Sequence, residues 1–164
     1  MYKSIISMIM VVMASTTAFA EWHMEENVDE FTGEVSRVAY ATGVDSAETT
    51  EIGIFITCSP DDDGLFVLLY AVGAAPINSV NPVIDFKVDN GPIERLATET
   101  YLTGKAGALR GVRARRLAET SKAGNFILVR FTNDIDYDYA TVKISLIGFT
   151  QAHSYVTDKC AYAR

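Results

Sequence analysis

A period-two alternation of apolar and polar residues is the feature of this sequence that most restricts its fold. From Val80 to Val88 the apolar side chains fall on one face of an extended chain, while Asp85, Lys87 and Asp89 fall on the other. The segment from Thr141 to Leu146 alternates in the same way. Such alternation is typical of β-strands that have one buried and one solvated face. We therefore predict a chain built mainly from antiparallel strands.

Further runs complete the predicted strands. Ile52–Thr57, Leu65–Val72 and Phe126–Phe131 are apolar on both faces and are predicted to be central strands. Val35–Thr42 alternates imperfectly, which favours an edge strand.

Turn-forming residues separate these runs. Ser59–Gly64 combines proline, aspartates and glycine and is predicted to be a hairpin loop. Asn90–Gly91 is a strong signal for a tight turn. Asn133–Tyr139 links two predicted strands. These short connections indicate that the strands are mostly antiparallel.

Two segments depart from the strand pattern. Arg113–Ala123 is rich in helix formers, and Thr150–Ala163 is predicted to be a helix that starts at a threonine cap. In the second helix Ala152, Val156 and Cys160 would share one face. The predicted fold is therefore mainly β, a single antiparallel β-sandwich-like domain of six or seven strands with a short internal helix and a C-terminal helix.

The N-terminus predicts export. Lys3 precedes a short apolar run, Ile5–Met13, and Ala18-Phe19-Ala20 offers the small residues that a signal peptidase recognises. The run is shorter than the roughly 20 residues of a spanning helix, and we predict no membrane span after it. We expect residues 1–20 to be a signal peptide and residues 21–164 to be one β-rich exported domain, periplasmic or secreted.

The two cysteines, Cys58 and Cys160, are predicted to form one disulfide, because an exported chain meets an oxidising compartment. A bridge closing a loop of about 100 residues stabilises by up to about 4–5 kcal/mol in the chain-entropy model. A nucleophilic cysteine needs a base, and neither His23 nor His153 lies in a cysteine-hydrolase context. We therefore predict no catalytic residue.

Two acidic clusters could gather oxygen ligands for calcium. They are Asp61–Asp63 and the alternating aspartates of Asp134–Asp138. The second cluster lacks the glycine and the glutamate of a calcium loop, whose places hold Tyr139 and Ser145. We expect both clusters to be solvated loops, and we predict no metal and no cofactor.

The charge balance restricts the partners. A formal net charge of −7 argues against general binding to nucleic acid or to anionic membranes. One stretch, Lys105–Lys122, is basic. Since the arginine head is planar and carries several donors, its arginines are candidate contacts for an envelope or host protein. They are Arg110, Arg113, Arg115 and Arg116.

The order of several short motifs resembles a known family. Trp22 stands near the start of the exported part, IFITC ends at Cys58, FKVDNGP covers Phe86–Pro92, and ISLIGF leads into a helix that reaches Cys160. This order is similar to that of the periplasmic accessory proteins associated with type VI secretion.

The chain also resembles the invasion-associated locus B family, which shares the exported β-rich build. The matching motifs are a "v-D-x-G-p" strand end and an "l-x-GF-x-x-A" segment, here Asp89, Gly91, Pro92, Leu146, Gly148, Phe149 and Ala152. The chain departs from this family in having only two cysteines, and from both families in its long acidic lead-in. Both resemblances imply an envelope or secretion-related role and carry over no catalytic residue.

These observations predict a non-enzymatic exported envelope protein that acts by protein–protein binding, as a secretion-system accessory or an invasion-associated factor. Two alternatives stay open. One is a metal-dependent or carboxylate-based periplasmic hydrolase that uses Asp61–Asp63 or Asp134–Asp138. The other is a carrier with a small-ligand pocket between the sheet and its helices.

Overall fold

The computed structural model describes residues 22–44, 50–59, 64–73, 83–101, 106–132, 141–158 and 160. These residues form ten strands and two helices, numbered in chain order. They are β1 (His23–Val28), β2 (Val35–Val44), β3 (Thr50–Ser59), β4 (Gly64–Gly73), β5 (Val83–Val88), β6 (Glu94–Ala97), β7 (Glu99–Tyr101), β8 (Ala106–Arg110), α1 (Gly111–Lys122), β9 (Phe126–Thr132), β10 (Thr141–Ser145) and α2 (Phe149–Thr157).

The strands form two antiparallel sheets. The larger sheet has the order β1-β2-β3-β4-β8-β7, and the smaller has the order β10-β9-β5-β6. This arrangement, with one internal helix and one C-terminal helix, confirms the predicted mainly-β fold. The described residues hold more strands than the six or seven predicted, because β1, β6 and β7 are too short or too polar to alternate clearly.

The core lies between the two sheets and the two helices. Ile54, Ile56 and Leu69 of the large sheet are buried in one cluster with residues of the small sheet and the helices, such as Ile144 and Val156. The small sheet approaches closely at Gly43, where any side chain would collide with the main-chain carbonyl of Lys143. The predicted strands of the apolar runs, β3, β4 and β9, are present, and β3 and β4 lie inside the large sheet.

The predicted edge position of Val35–Thr42 is wrong. This segment lies in β2, which pairs with β1 on one side and β3 on the other. The edge strand is β1, whose polar sequence HMEENV gives no strand signal.

The helix boundaries also differ from the prediction. Helix α1 begins at Gly111 and ends at Lys122, and α2 begins at Phe149. The N-cap of α2 is Gly148 rather than Thr150, with a φ of 87° that glycine adopts without strain. Because α2 ends at Thr157, the helix ends before Cys160.

The buried face of α2 therefore holds Ala152 and Val156 but not Cys160. Among the described residues, no helix is both long and apolar enough to cross a membrane. The predicted signal peptide, residues 1–20, lies outside the described residues.

Trp22 fixes the start of the described chain in the core. Its side chain is buried, and its ring packs edge-on against Phe149 with 5.0 Å between centroids. The indole Nε1–H donates to the Ser145 carbonyl at 3.1 Å. This bond satisfies a buried donor and joins the N-terminal segment to the end of β10.

The predicted disulfide is confirmed. Cys58 near the end of β3 is bonded to Cys160 beyond α2, with Cα atoms 5.6 Å apart and a sequence separation of 102. That Cα separation lies within the usual range for disulfides. The bridge ties the C-terminal segment to the large sheet.

Candidate functional site

The hairpin formed by β1 and β2 extends past the rest of the large sheet. Pairing of β2 with β3 starts at Val38, so the preceding residues of β2 pair with β1 alone. Every residue of β1 is exposed. Residues 26–36, which we call the hairpin tip, therefore form a two-stranded ribbon with both faces in solvent.

Hydrogen bonds hold the turn of the hairpin tip in one conformation. Asp29 Oδ1 accepts the backbone N–H groups of Phe31 and Thr32, both at 2.8 Å. The Asp29 N–H donates to the Glu34 carbonyl at 2.9 Å, and the Gly33 N–H donates to the Asp29 carbonyl at 2.8 Å. The bonds from Thr32 and Phe31 hold the pKa of the Asp29 carboxyl below its usual value. Gly33 has a φ of +72°, which closes the turn.

The hairpin tip presents apolar side chains to water. Phe31, at the turn, has a relative exposure of 101%, and Val28 and Val35 are paired across the ribbon with 58% and 44% exposed. Acidic side chains surround them: Glu26, Asp29, Glu30 and Glu34. A cluster of exposed apolar residues with a polar rim is typical of an interaction site.

A second unusual surface covers the outer face of the small sheet. Asp85 in β5 is only 4% exposed and lies between two arginines. Arg95 binds its carboxylate at 2.7 and 3.0 Å, and Arg130 binds it at 2.8 Å. The strand register causes this, since Asp85 is directly opposite Arg95 in β6 and Arg130 in β9. Hydrogen bonds from Arg95 and then Arg130 hold the pKa of Asp85 below its ordinary value despite burial.

A shallow groove of about 110 Å³ lies beside Asp85. Its apolar side chains are Ile93, which is 67% exposed, and Leu128, and its polar ones include Lys87, Arg130 and Thr141. Further along the same face, the Lys143 Nζ sits 4.0 Å above the centre of the Phe126 ring. We call this surface the basic face, because its strands carry four cations, Lys87, Arg95, Arg130 and Lys143, with Asp85 between them.

The arginines predicted as a partner contact are mostly engaged within the chain. Arg110 and Arg113 both pair with Glu99, at 3.2 and 3.5 Å, and Arg113 also donates to the Ala97 carbonyl at 2.7 Å. Arg116 pairs with Glu94 at 2.6 Å.

Arg115, by contrast, is exposed on α1. The four arginines thus do not form one open basic patch, because three of them pair with Glu94 of β6 or Glu99 of β7. Their role in binding a partner stays a prediction.

The residues considered for catalysis make contacts within the chain. Both cysteines are in the disulfide. His23 lies in β1 with its ring 5.1 Å from that of Tyr40. His153 is half-buried on α2, and burial lowers the pKa of its imidazole.

The predicted acidic clusters cannot be placed. Within the described part of the chain, no three histidine, cysteine or acidic side chains converge in a way that could hold a metal ion. Asp61–Asp63 and Asp134–Asp138 lie outside the described residues.

Sequence reasoning missed both surfaces described above. No strand was predicted before Val35 in the acidic lead-in, although Asp29 and Gly33 are turn residues placed between Val28 and Val35. That pattern of turn residues between two β-branched residues was the available signal for a hairpin. No local signal marked the basic face, because its charges come together only through strand pairing.

Comparison with known proteins finds a similar solved structure but no similar sequence. No protein-family model matches the chain, and no curated protein matches its sequence. Among solved structures, the crystal structure of invasion associated protein B from Bartonella henselae aligns with a TM-score of 0.57 and 16% sequence identity. The alignment covers 84% of this chain and 91% of that one.

This likeness supports one of the two resemblances drawn from the sequence. The resemblance to type VI secretion accessory proteins finds no support here and stays a prediction. The chain is similar in fold to invasion associated protein B.

Proposed function

We propose that this chain is a non-enzymatic exported protein that acts by binding another envelope or host protein through its hairpin tip. The observation that carries the proposal is the fully exposed ring of Phe31 at a turn fixed by four hydrogen bonds from backbone N–H groups, two of them accepted by the Asp29 carboxylate. The fold likeness to invasion associated protein B supports a role as an invasion-associated factor.

The physical case rests on preorganisation. A side chain that is already held in its bound position loses little conformational freedom on binding, so more of the contact energy appears as affinity. Aromatic side chains are enriched at interface centres because they bury a large area with few rotatable bonds. Phe31 meets the second condition, and the hydrogen bonds of the turn hold its backbone in one conformation.

The acids of the hairpin tip restrict the partner's chemistry. Glu26 is already paired with Arg37 at 2.9 Å, while Glu30 and Glu34 flank Phe31 in solvent. The partner should therefore present an apolar pocket for one aromatic ring with basic groups at its edge. Such charges would speed association and select the partner more than they would tighten binding.

Site-specific photo-crosslinking in the producing cells tests the proposal. A photoreactive p-benzoylphenylalanine replaces Phe31, and in a matched control it replaces Gln151, which is exposed on α2. We expect the label at position 31 to give at least about tenfold more protein adduct, since van der Waals contact at an interface is close and persistent. Equal adduct yields at the two positions would show that the hairpin tip is not the contact.

The predicted arginine contact is tested in the same experiment. Arg115 is exposed on α1, whereas the other three arginines are paired within the chain. A label at position 115 that gives more adduct than the label at position 31 would favour α1 over the hairpin tip.

A further inference from the structure

We propose that the partner of the hairpin tip is the basic face of a second copy of this chain, so that copies associate tip to face. This inference rests on the proposed function. It identifies the envelope protein that the hairpin tip binds as a second molecule of this same chain. It follows from two surfaces on one molecule that complement each other in charge and in shape.

The charges of the two surfaces are opposite. The chain as a whole is acidic, with a formal net charge of −7. The strands of the basic face are a local exception, with four cations against two carboxylates. Arg95 and Arg130 already bind Asp85, and Arg116 already pairs with Glu94. Lys87 and Lys143 are therefore the cations of this face best able to meet Glu30 and Glu34 of another copy.

The apolar parts also fit. The groove of about 110 Å³ lies between Ile93 and Leu128, and Ile93 is largely exposed in a single copy. This volume is smaller than the about 150 Å³ of a closed apolar cavity that accommodates a benzene molecule, so the groove takes part of a phenyl ring. The groove is open on one side. The ring of Phe31 can therefore enter it from solvent while the backbone of the hairpin stays outside.

The hairpin tip and the basic face are different parts of one molecule. The hairpin tip belongs to the large sheet, and the basic face is the side of the small sheet that points away from the core, as Phe86 and Val129 point inward. Each copy thus offers one tip and one face. Tip-to-face contacts close into a two-fold dimer when both form between the same two copies, and they lead to larger rings or chains when they do not.

The contact is small, so it is weak. One aromatic ring with a few ion pairs buries less than the roughly 1,000 Å² that a stable complex needs. We expect association only at high protein concentration and a loss of it at high salt, because the exposed charges are screened over about 10 Å at 0.1 M salt.

Sedimentation velocity on purified protein tests the inference. The tip variant is Phe31→Ser, and the face variant is Lys87→Glu/Ile93→Ser. Gln151→Glu/Ser154→Glu, at two exposed positions of α2, is the control for an equal change of charge elsewhere. The proteins are compared from about 10 µM to about 1 mM, the range in which interfaces of this size associate.

Wild type and the control should increase in average mass with concentration, while each variant associates at least about tenfold more weakly. The decisive sample is an equimolar mixture of the tip and face variants. Each retains one intact surface, so the mixture should form one-to-one dimers and nothing larger. A wild type that is monomeric throughout, a variant that associates like wild type, or a mixture that stays monomeric would overturn the inference.

Two checks keep the outcomes separate. Melting temperatures of all proteins are measured first, and the single variant Lys87→Glu replaces the face variant if the latter melts early. If wild type stays monomeric but position 31 captures a different protein in cells, the tip-to-face inference fails and the proposed function stands. If position 31 captures nothing, both fail.

Discussion

Removing the disulfide should destabilise the chain mainly through its unfolded state. The perturbation is the double variant Cys58→Ala/Cys160→Ala. The bridge spans 102 residues of sequence, and the chain-entropy model gives about 4.7 kcal/mol at 25 °C for a loop of about 100 residues. Measured values are often lower than this model, so we expect the free energy of unfolding to fall by about 3–5 kcal/mol.

Urea unfolding gives the assay a built-in probe. Trp22 is the only tryptophan and is buried in the core, so its fluorescence reports the loss of the packed domain. The midpoint should fall, and the slope m should rise, because an uncrosslinked unfolded chain exposes more surface to urea. On heating, the same loss corresponds to a melting temperature lower by roughly 10–15 °C for a domain of about 150 residues.

Reduced wild-type protein is the matched control, and it should unfold with the double variant. The reasoning would be refuted by a double variant whose urea midpoint and slope equal those of oxidised wild type. A lower midpoint with an unchanged slope would instead place the effect in the folded state, at the contact between the C-terminal segment and β3.

Three further substitutions and one control, Asp158→Asn, test individual side chains by urea unfolding. Asp85→Asn should cost about 1–2 kcal/mol, because its carboxylate is buried while its arginine partners are partly exposed, whereas the exposed Asp158→Asn should cost less than about 0.5 kcal/mol. Since the pKa of Asp85 is lowered from 3.8, its contribution is present above about pH 4 and is lost as pH falls further, a loss that Asp85→Asn should abolish. Burial lowers the pKa of His153 from 6.5, so the unfolded chain takes up the proton first as pH falls. The free energy of unfolding should therefore decrease as pH drops below about 6.5, and His153→Gln should remove this pH dependence. Trp22→Phe keeps a ring but removes the donor to the buried Ser145 carbonyl, which should cost about 1–3 kcal/mol; an unchanged midpoint would contradict this.

Much of the fold could be predicted because burial leaves a local pattern. β3 and β4 are apolar on both faces, and both lie inside the large sheet. The cysteine pairing followed from compartment and count, and the predicted tight turn at Asn90–Gly91 is present, where it connects β5 to the unpredicted β6. These features depend on residues close together in sequence or on the number of cysteines.

The hairpin tip could not be predicted from alternation. β1 has no buried face, so its residues carry no apolar period, and it is a strand only because β2 offers it an edge for backbone pairing. Backbone hydrogen bonds form between strands whether their side chains are polar or apolar. The position of β2 inside the sheet was missed for the same reason.

The basic face depends on register rather than on local sequence. Asp85 was correctly placed on the side of its strand away from the core, where we expected solvent. Its burial arises from Arg95 and Arg130, which are 10 and 45 residues away and meet it only through the pairing of β5 with β6 and β9. A shift of one residue in either pairing would separate these charges.

The most direct test of the account maps what Phe31 touches in purified protein. With p-benzoylphenylalanine at position 31, concentrated protein is irradiated and the adduct peptides are identified by mass spectrometry. The account predicts dimer-sized adducts whose second peptide contains Lys87–Ile93 or Leu128–Arg130, with a lower yield at high salt. Adducts that map to other peptides, or monomeric protein without adduct, would contradict the docking of the hairpin tip on the basic face.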